Sequence, residues 1–194
     1  MSYKVVEEFE QALSEYTGAP YVVTTNSCSM ALMLALAWDT KMSGQLVRFP
    51  SHTYCSAPMA AINVGLGVWF EDFEWQGEYE IYPTCVWDSA RRFTSGMHRK
   101  GQMQCVSFQT SKILGLEQGG AILHDNKEAD EWLRRARFDG RLNASEKVPK
   151  MIGFHAYLSP SVAALGIQKL ACLPRDNPDQ IVDFPDLSLL DIWN

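Results

Sequence analysis

The chain has 194 residues, of which 46% are hydrophobic and 11% aromatic, and its formal net charge is −6 with a pI near 5.2. This length is enough for one domain with a core, and the composition is that of a globular protein rather than a disordered one. The acidic balance argues against a nucleic-acid partner. The longest uncharged stretch, residues 19–38, is interrupted by hydroxyl and amide side chains, so we expect no membrane span.

The spacing of the cysteines and the N-terminal residues bear on the cellular compartment of the protein. Five cysteines are widely spaced and include no Cys-x-x-Cys pair, which favours reduced thiols over disulfides or a zinc site. Residues 1–4 lead directly into an acidic amphipathic pattern, and we expect no signal peptide there. The sequence therefore predicts a cytoplasmic protein without a structural metal.

Hydrophobic periodicity divides the chain into alternating helices and strands. It predicts helices over residues 3–17, 30–38, 51–63, 126–138 and 159–172. It predicts strands over residues 21–25, 46–49, 66–70, 84–87, 103–108 and 119–123, whereas residues 73–82 are hard to assign. Such alternation indicates an α/β fold with a mostly parallel sheet. We expect one domain over residues 1–174 and an irregular C-terminal tail over residues 175–194.

Polar side chains follow several of the predicted strands. Ser27, Asp88 and Ser107 lie at or just past strand ends, and Tyr54 follows the strand at 46–49. In sheets of this kind, ligands bind at the carboxyl ends of the strands. The sequence therefore predicts that these side chains belong to one site.

Lys112 is the only lysine or arginine between Gly101 and Asn126, and it lies between two apolar strands. A lysine among apolar neighbours has its amine pKa lowered from about 10.4, which makes it a usable nucleophile toward an aldehyde. The alternative is a surface lysine on a hairpin turn. The local sequence is compatible with both interpretations.

The segment Asn26-Ser27-Cys28-Ser29 comes after a strand and opens a helix. Backbone N–H groups and hydroxyls at a helix N-terminus can hold a phosphate. The alternative is an ordinary serine N-cap. The segment is not a P-loop, because it contains no Gly-Lys-Ser/Thr.

Residues 107–120 read Ser-Phe-Gln-Thr-Ser-Lys, then a short loop and a Gly-Gly strand. This segment resembles the cofactor-lysine segment of the DegT/DnrJ/EryC1/StrS sugar aminotransferase family, whose members are fold-type I enzymes dependent on pyridoxal 5'-phosphate. Four other segments resemble this family in the same chain order: 26–32, 50–54, 85–91 and 153–170. The resemblance covers nearly the whole chain, and it implies a three-layer α/β/α large domain.

The resemblance also implies a role for each candidate residue. Lys112 would be the Schiff-base lysine, and Asp88 would keep the pyridine nitrogen protonated. Tyr54 would cover one face of the cofactor ring. The remaining cofactor-binding candidates are Ser27, Cys28, Ser29, Arg91, Ser107 and His155. Cys28 stands where the family has glycine.

Each of these residues also has a simpler interpretation when it is considered alone. Tyr54 would be a core tyrosine at a helix start, and Asp88 would cap the next turn. His155 would be a solvated loop residue. It replaces the asparagine of the family's Gly-Tyr-Asn-x-Arg segment, and Tyr157 replaces its arginine. In the family, this loop reaches the phosphate of the neighbouring subunit.

Members of the family are about twice as long as this chain, so we expect the small C-terminal domain to be absent. That domain normally helps to close the site. The resemblance implies a homodimer, and a second copy of the chain would then supply the missing wall.

The resulting prediction is a pyridoxal-phosphate aminotransferase that acts on a nucleotide-linked keto sugar, with glutamate or glutamine as amino donor by family analogy. The alternative is a reduced homologue that binds the cofactor without sugar transamination. It would act on a smaller amine or serve as a partner of a full-length enzyme.

Overall fold

The computed structural model describes residues 3–40 and 44–193 of the chain. The predictions for Met1, Ser2 and Asn194 lie outside these ranges. The helices are α1 (Lys4–Thr17), α2 (Cys28–Asp39), α3 (Ser56–Asn63), α4 (Lys127–Arg137) and α5 (Pro160–Cys172). The strands are β1 (Tyr21–Thr25), β2 (Leu46–Pro50), β3 (Gly67–Glu71), β4 (Tyr79–Glu80), β5 (Val86–Asp88), β6 (Met103–Ser107) and β7 (Gly120–His124).

The main sheet has five strands in the order β1-β7-β6-β5-β4. Only β5 and β6 pair in parallel, whereas β1–β7, β6–β7 and β4–β5 pair antiparallel. The α/β class is confirmed, but the sheet is mixed rather than mostly parallel. The reason lies in the connections: the link from β6 to β7 contains no helix, and a parallel return would need such a crossover.

Strands β2 and β3 form a separate parallel pair joined through α3. The backbone N–H of Arg48 in β2 donates to the Tyr82 carbonyl, at 2.8 Å, next to β4. The unassigned stretch 73–82 therefore ends in an edge strand between the two sheets. Helix α3 begins five residues later than predicted, because Ser51–Cys55 form a turn.

Helices cover both faces of the main sheet. Alternate residues of one strand face opposite sides. Val22 and Leu123 pack toward α1 and α5, whereas Val23 and Ile122 pack toward α2 and α4. This arrangement makes the three layers that the family resemblance implied. No helix among the described residues is long and apolar enough to cross a bilayer.

A buried ion cluster connects α1, β1 and α4. The Glu10 carboxylate accepts hydrogen bonds from Arg137, from Arg134 at 2.6 Å, and from the Thr24 backbone N–H at 2.9 Å. Glu10 and Arg137 are only 5% and 3% exposed. Burial alone would raise the Glu10 pKa, but the two arginines and the Thr24 N–H hold it below its ordinary value.

The chain after α5 runs back along the molecule. It contains two 3-10 turns, Leu187–Leu189 and Asp191–Trp193. The Tyr16 hydroxyl of α1 donates to the Pro174 carbonyl at 2.5 Å, and Arg92 pairs with Asp179 at 2.8 Å. Residues 175–193 contain no α-helix or β-strand of the sheets, yet their backbone is held at defined points.

Replacement of Glu10 by alanine should destabilise the fold by about 3–5 kcal/mol, because it leaves Arg137 buried without its counter-charge. The matched control, Glu15→Ala, removes an exposed carboxylate of the same helix. Among the described residues this carboxylate accepts one hydrogen bond, from Gln11, so stability should change by about 0.5 kcal/mol or less. Urea denaturation measures both.

The pH dependence follows from the lowered pKa of Glu10. Its stabilisation is fully present above the unfolded value of 4.5 and is lost as pH falls through the lower folded pKa. The stability difference between Glu10→Ala and the parent should therefore shrink in acid. Equal unfolding midpoints for Glu10→Ala and Glu15→Ala at pH 7 would contradict this account.

Candidate active site

A cavity of about 440 Å³ lies at the carboxyl ends of β5 and β6, beside the N-terminus of α2. This volume is within the usual range of small-molecule sites, roughly 300–1,000 Å³. Eight of the predicted site residues line it: Ser27, Cys28, Ser29, Tyr54, Asp88, Arg91, Ser107 and Lys112. The structure therefore brings these eight residues together around one cavity.

The N-terminus of α2 forms one side of the cavity. Ser27 is the N-cap residue in extended conformation, and its hydroxyl accepts a hydrogen bond from the Met30 N–H at 3.2 Å. The Ser29 hydroxyl donates to that of Ser56 at 2.6 Å. The helix thus starts two residues earlier than predicted. Capping and phosphate binding are compatible here, because one serine cap leaves other N–H groups of the first turn available.

Asp88 is the last residue of β5 and is only 6% exposed. One carboxylate oxygen accepts from the Ala90 N–H, at 3.0 Å, and the other from the Tyr79 hydroxyl, also at 3.0 Å. Burial raises the Asp88 pKa above its ordinary value, against the lowering effect of these two hydrogen bonds and of Lys112. A cation placed against this carboxylate would reverse the shift.

Tyr79 and Thr53 were not predicted as site residues. The Tyr79 and Thr53 hydroxyls are 2.8 Å apart, so a buried chain runs from Thr53 through Tyr79 to Asp88. Tyr79 belongs to the stretch whose aromatic composition has no regular period, and its pairing with Asp88 across β4–β5 depends on the hairpin register. Its only sequence signal was an aromatic residue in a polar segment.

Lys112 lies in the loop between β6 and β7. Its backbone N–H donates to Gln109 at 2.8 Å, and the loop is anchored by Leu114 and Leu116, which are buried. The side chain is half-buried in the cavity wall. Burial lowers the pKa of Lys112, and the positive charge of Arg91 lowers it further. Lys112 thus lies on the connection between two antiparallel strands, as the alternative interpretation had it, but its side chain is half-buried in a cavity wall rather than fully solvated.

Arg91 and Cys28 complete the polar lining near Lys112. The Arg91 Nε atom is buried and has no hydrogen-bond partner within residues 3–40 and 44–193. Burial and the nearby Asp88 carboxylate raise the pKa of the Cys28 thiol well above its ordinary value. The cavity thus has an unsatisfied donor on a cationic group, and its thiol is neutral at physiological pH.

Three aromatic rings form the outer part of the cavity. The Phe184 ring, from the C-terminal tail, lies nearly parallel to that of Trp75, with centroids 6.1 Å apart, and 6.3 Å from that of Tyr54. Tyr54 is 60% exposed. Trp75 and Phe184 were missed by the sequence analysis, because nothing local connects a tail residue with a loop a hundred positions earlier.

His155 is not among the residues that line this cavity. It is exposed, lies 3.0 Å from an Asp139 oxygen, and packs edge-on against Tyr157, with ring centroids 4.7 Å apart. The structure therefore does not bring His155 to the cavity of its own chain. Its contact with a second subunit stays a prediction.

The three-layer fold is that of the large domain of fold-type I pyridoxal-phosphate enzymes, and its cavity is lined by one lysine and one aspartate among the described residues. Solved structures agree on the fold. 3-Amino-5-hydroxybenzoic acid synthase superposes with a TM-score of 0.75 at 20% identity, over 88% of this chain and 56% of that one. NtdA from Bacillus subtilis, solved with the cofactor PMP bound, gives 0.74 at 19% identity, over 88% and 48%.

The sequence comparisons identify the family. The chain belongs to the DegT/DnrJ/EryC1/StrS aminotransferase family, whose sequence model matches residues 1–96 and 88–180. Protein MosB of Rhizobium meliloti is 27% identical over 143 residues, which include 72% of this chain and 27% of MosB. The family assignment made from the motifs is confirmed.

A second relative is UDP-4-amino-4,6-dideoxy-N-acetyl-beta-L-altrosamine transaminase of Campylobacter jejuni, 24% identical over 233 residues that include 94% of this chain. The chain spans 61% of the length of that protein. Because 94% of 194 residues is about 182, about 50 positions of this match have no counterpart in the chain.

The lowered pKa of Lys112 can be measured by pH-dependent amine labelling of the cofactor-free protein. The midpoint for Lys112 should lie below the ordinary 10.5, and Arg91→Gln should move it upward, because it removes a neighbouring positive charge. Mass spectrometry of the labelled peptides gives the Lys112 midpoint in the parent and in Arg91→Gln. The peptide that contains the exposed Lys100 serves as internal reference. A Lys112 midpoint that does not respond to Arg91→Gln would contradict the electrostatic account.

Proposed function

We propose that this chain is a pyridoxal-phosphate-dependent aminotransferase that acts on a nucleotide-linked keto sugar, with Lys112 as the lysine that holds the cofactor covalently. One observation carries the proposal. The half-buried Lys112 and the buried Asp88 share a cavity with the serine-rich N-terminus of α2. An amine, a carboxylate and an anion-binding helix end are the groups that an aldehyde, a pyridine nitrogen and a phosphate require.

The donor set of the cavity fits this cofactor. The buried Arg91 Nε–H has no partner among the described residues, and an anionic or hydroxyl group of a ligand would satisfy it. The Asp88 carboxylate is already oriented by Tyr79 and Ala90. These features support a ligand with a cationic ring nitrogen and acceptor oxygens.

Each residue would then have one task. Ser27, Ser29 and Ser107, with the first turn of α2, would hold the phosphate, and Cys28 would pack beside it as a neutral thiol. Asp88 would pair with the ring nitrogen, Arg91 would contact the ring hydroxyl, and Tyr54 would cover one ring face. When bound, pyridoxal phosphate supplies an aldehyde for the amino group and an electron-withdrawing ring.

Proton transfer would fall to Lys112. Its lowered pKa leaves more of the amine neutral near pH 7 than for an ordinary lysine. Nζ can therefore accept the proton that leaves the donor's α-carbon in the first half-reaction, and in the second it can deliver a proton to the acceptor carbon that receives the amino group. The Thr53–Tyr79 chain holds the Asp88 carboxylate in place. A fixed carboxylate stabilises positive charge opposite it without having to reorganise.

The acceptor is inferred from the relatives. The C. jejuni relative is named as a transaminase of a UDP-linked amino sugar, which supports a nucleotide-linked keto sugar as substrate. Glutamate or glutamine would be the amino donor. We also propose a cytoplasmic location, because all five cysteines are free in the structure.

The second candidate is a homologue that binds the cofactor without sugar transamination. The matches cover 27% and 61% of the two curated relatives, so the activity of the whole relatives is only proposed for this chain. Such a homologue would act on a smaller amine or assist a full-length enzyme. A screen of amines against the cofactor-loaded protein separates the two candidates. Turnover with small amines alone would favour the second.

The purified protein should bind added pyridoxal phosphate, show a visible absorption band, and be labelled on Lys112 by borohydride. Lys112→Ala should abolish the band and the labelling, because no other residue offers the amine at this position. The control, Lys100→Ala, changes an exposed lysine outside the cavity and should leave both intact. Trapping on a different lysine would overturn the assignment.

The same preparation tests Asp88. Asp88→Asn keeps the size of the side chain but loses the negative charge, so cofactor retention should change little. The single-turnover rate with glutamate should fall on the order of a hundredfold or more, because the electron-withdrawing ring is no longer stabilised. Similar rates for variant and parent would exclude the proposed role.

We further propose a homodimer in which the loop around His155 completes the site of the partner. His155 is exposed and packs edge-on against the half-buried Tyr157, and neither residue lines the candidate active-site cavity, which supports this arrangement. Sedimentation velocity at low micromolar concentration should give a dimer. A mixture of Lys112→Ala with a His155→Ala/Tyr157→Ala chain should recover activity. A strictly monomeric, active protein would contradict the proposal.

A further inference from the structure

We propose that the C-terminal tail, residues 175–193, is a wall of the active site, and that the Phe184 ring is the surface on which the ring of the acceptor packs. This inference rests on the aminotransferase function proposed above for what the acceptor is. The position of the wall follows from contacts within the chain alone.

The tail is fixed on the β5 side of the cavity. The Gln180 backbone N–H donates to the Arg91 carbonyl at 2.9 Å, and its side-chain amide donates to the Ser111 carbonyl at 3.0 Å. Ser111 directly precedes Lys112. Asp179 pairs with Arg92 at 2.8 Å. Three contacts thus hold residues 179 and 180 against the two segments that carry Arg91 and Lys112.

The tail is fixed again on the opposite side, at the segment between β2 and α3. His52 Nδ1 lies 2.8 Å from the Phe184 carbonyl, and the Leu187 N–H donates to the Ser51 carbonyl at 2.9 Å. The Leu187 side chain is only 2% exposed, so it is a packed anchor. The tail therefore spans the cavity between two attachment points.

Phe184 lies within this span and contributes its ring to the cavity lining. Trp75 supports the ring from one side in nearly parallel orientation, with 14° between the planes. The Arg91 guanidinium is 5.6 Å from the ring centroid. A supported aromatic ring is a rigid apolar surface with few conformations to lose on binding.

The residues around the Phe184 ring determine which ligand group would pack against it. Tyr54 and Phe184 provide aromatic faces, while hydroxyls and Arg91 provide hydrogen-bonding groups nearby. A ring with one apolar C–H face and polar substituents at its edge matches this combination, and the sugar ring of a keto-sugar acceptor is such a group. A small acyclic amino donor offers no ring face. Phe184 should therefore contribute to the half-reaction with the sugar and not to the half-reaction with the amino donor.

A second copy of the chain is therefore not the only source of a wall for this site. Phe184 and Gln180 cover part of the substrate face from the same chain. The loop around His155 from a second copy and the tail of the same chain would then cover different sides of the site.

The first experiment needs neither cofactor nor substrate. The rate at which a small amine reagent labels Lys112 is compared in the full-length parent, Phe184→Ala and Phe184→Leu, with Ile181→Ala as control. Ile181 is 82% exposed on the same tail. Phe184→Ala should label several-fold faster, whereas Phe184→Leu and Ile181→Ala should match the parent. Equal rates in all four, with unchanged melting temperatures, would show that the tail is no wall.

The second experiment measures the two half-reactions by the change in cofactor absorbance, with glutamate and with UDP-4-amino-4,6-dideoxy-N-acetyl-beta-L-altrosamine as probes. Phe184→Leu and Phe184→Ala should reduce kcat/KM for the sugar by about threefold to tenfold, the value of one aromatic contact, and leave glutamate unchanged. A parallel decrease for both probes would overturn the role in specificity.

The two proposals fail in different ways. If the parent binds no pyridoxal phosphate while Phe184→Ala still accelerates labelling, the aminotransferase function and the acceptor contact are overturned and the wall stands. If the cofactor binds and both half-reactions proceed without any effect of Phe184, the function stands and the inference about the tail is overturned.

Discussion

The close approach of β7 to the first turn of α2 is the constraint on which the site depends. A Cβ atom on Gly120 would lie 2.6 Å from the Cys28 backbone nitrogen, and Ser27 and Gly119 form a β-bridge at the same point. Gly119 itself has a φ of +119°, which side-chain-bearing residues rarely adopt. The glycine pair thus brings the helix end and the lysine loop to one cavity.

The same contact explains the arrangement of charges. Because the first turn of α2 lies against β7, its positive N-terminal end is beside a half-buried lysine and an arginine. Among the described residues that line the cavity, Asp88 is the only carboxylate that compensates these charges. An anionic ligand would relieve this imbalance. Substrate chemistry and local electrostatics therefore favour the same occupant, a phosphorylated molecule with a cationic ring.

The predictability of the fold differed between elements for physical reasons. Helix α5 was predicted to within one residue and β1 with both ends, because signals such as the Ser159 cap and the first-turn proline of α5 are local. Strand direction is not a local property. The hydrophobic run of β7 is the same in either orientation, and only the helix-free connection from β6 reverses it.

The site shows the same division. Ser27, Asp88 and Lys112 could be found because each follows a strand, where the fold class places ligands. Tyr79 and Phe184 could not, because their roles depend on a hairpin register and on a tail that returns across the molecule. Cavity-lining residues that follow strands were thus recognisable by type and position. Those that hold or enclose them were not.

The packing of α1 against α5 has a consequence for synthesis of the chain. The Phe9 ring occupies the space that a Cβ of Gly166 would need, and the Tyr16 hydroxyl is bonded to the carbonyl of Pro174, 158 positions later. During translation, the apolar face of α1 therefore remains without its partner until nearly the whole domain has left the ribosome. Contacts between residues far apart in sequence slow folding and leave an aggregation-prone apolar surface exposed in the meantime. Chaperones bind surfaces of this kind.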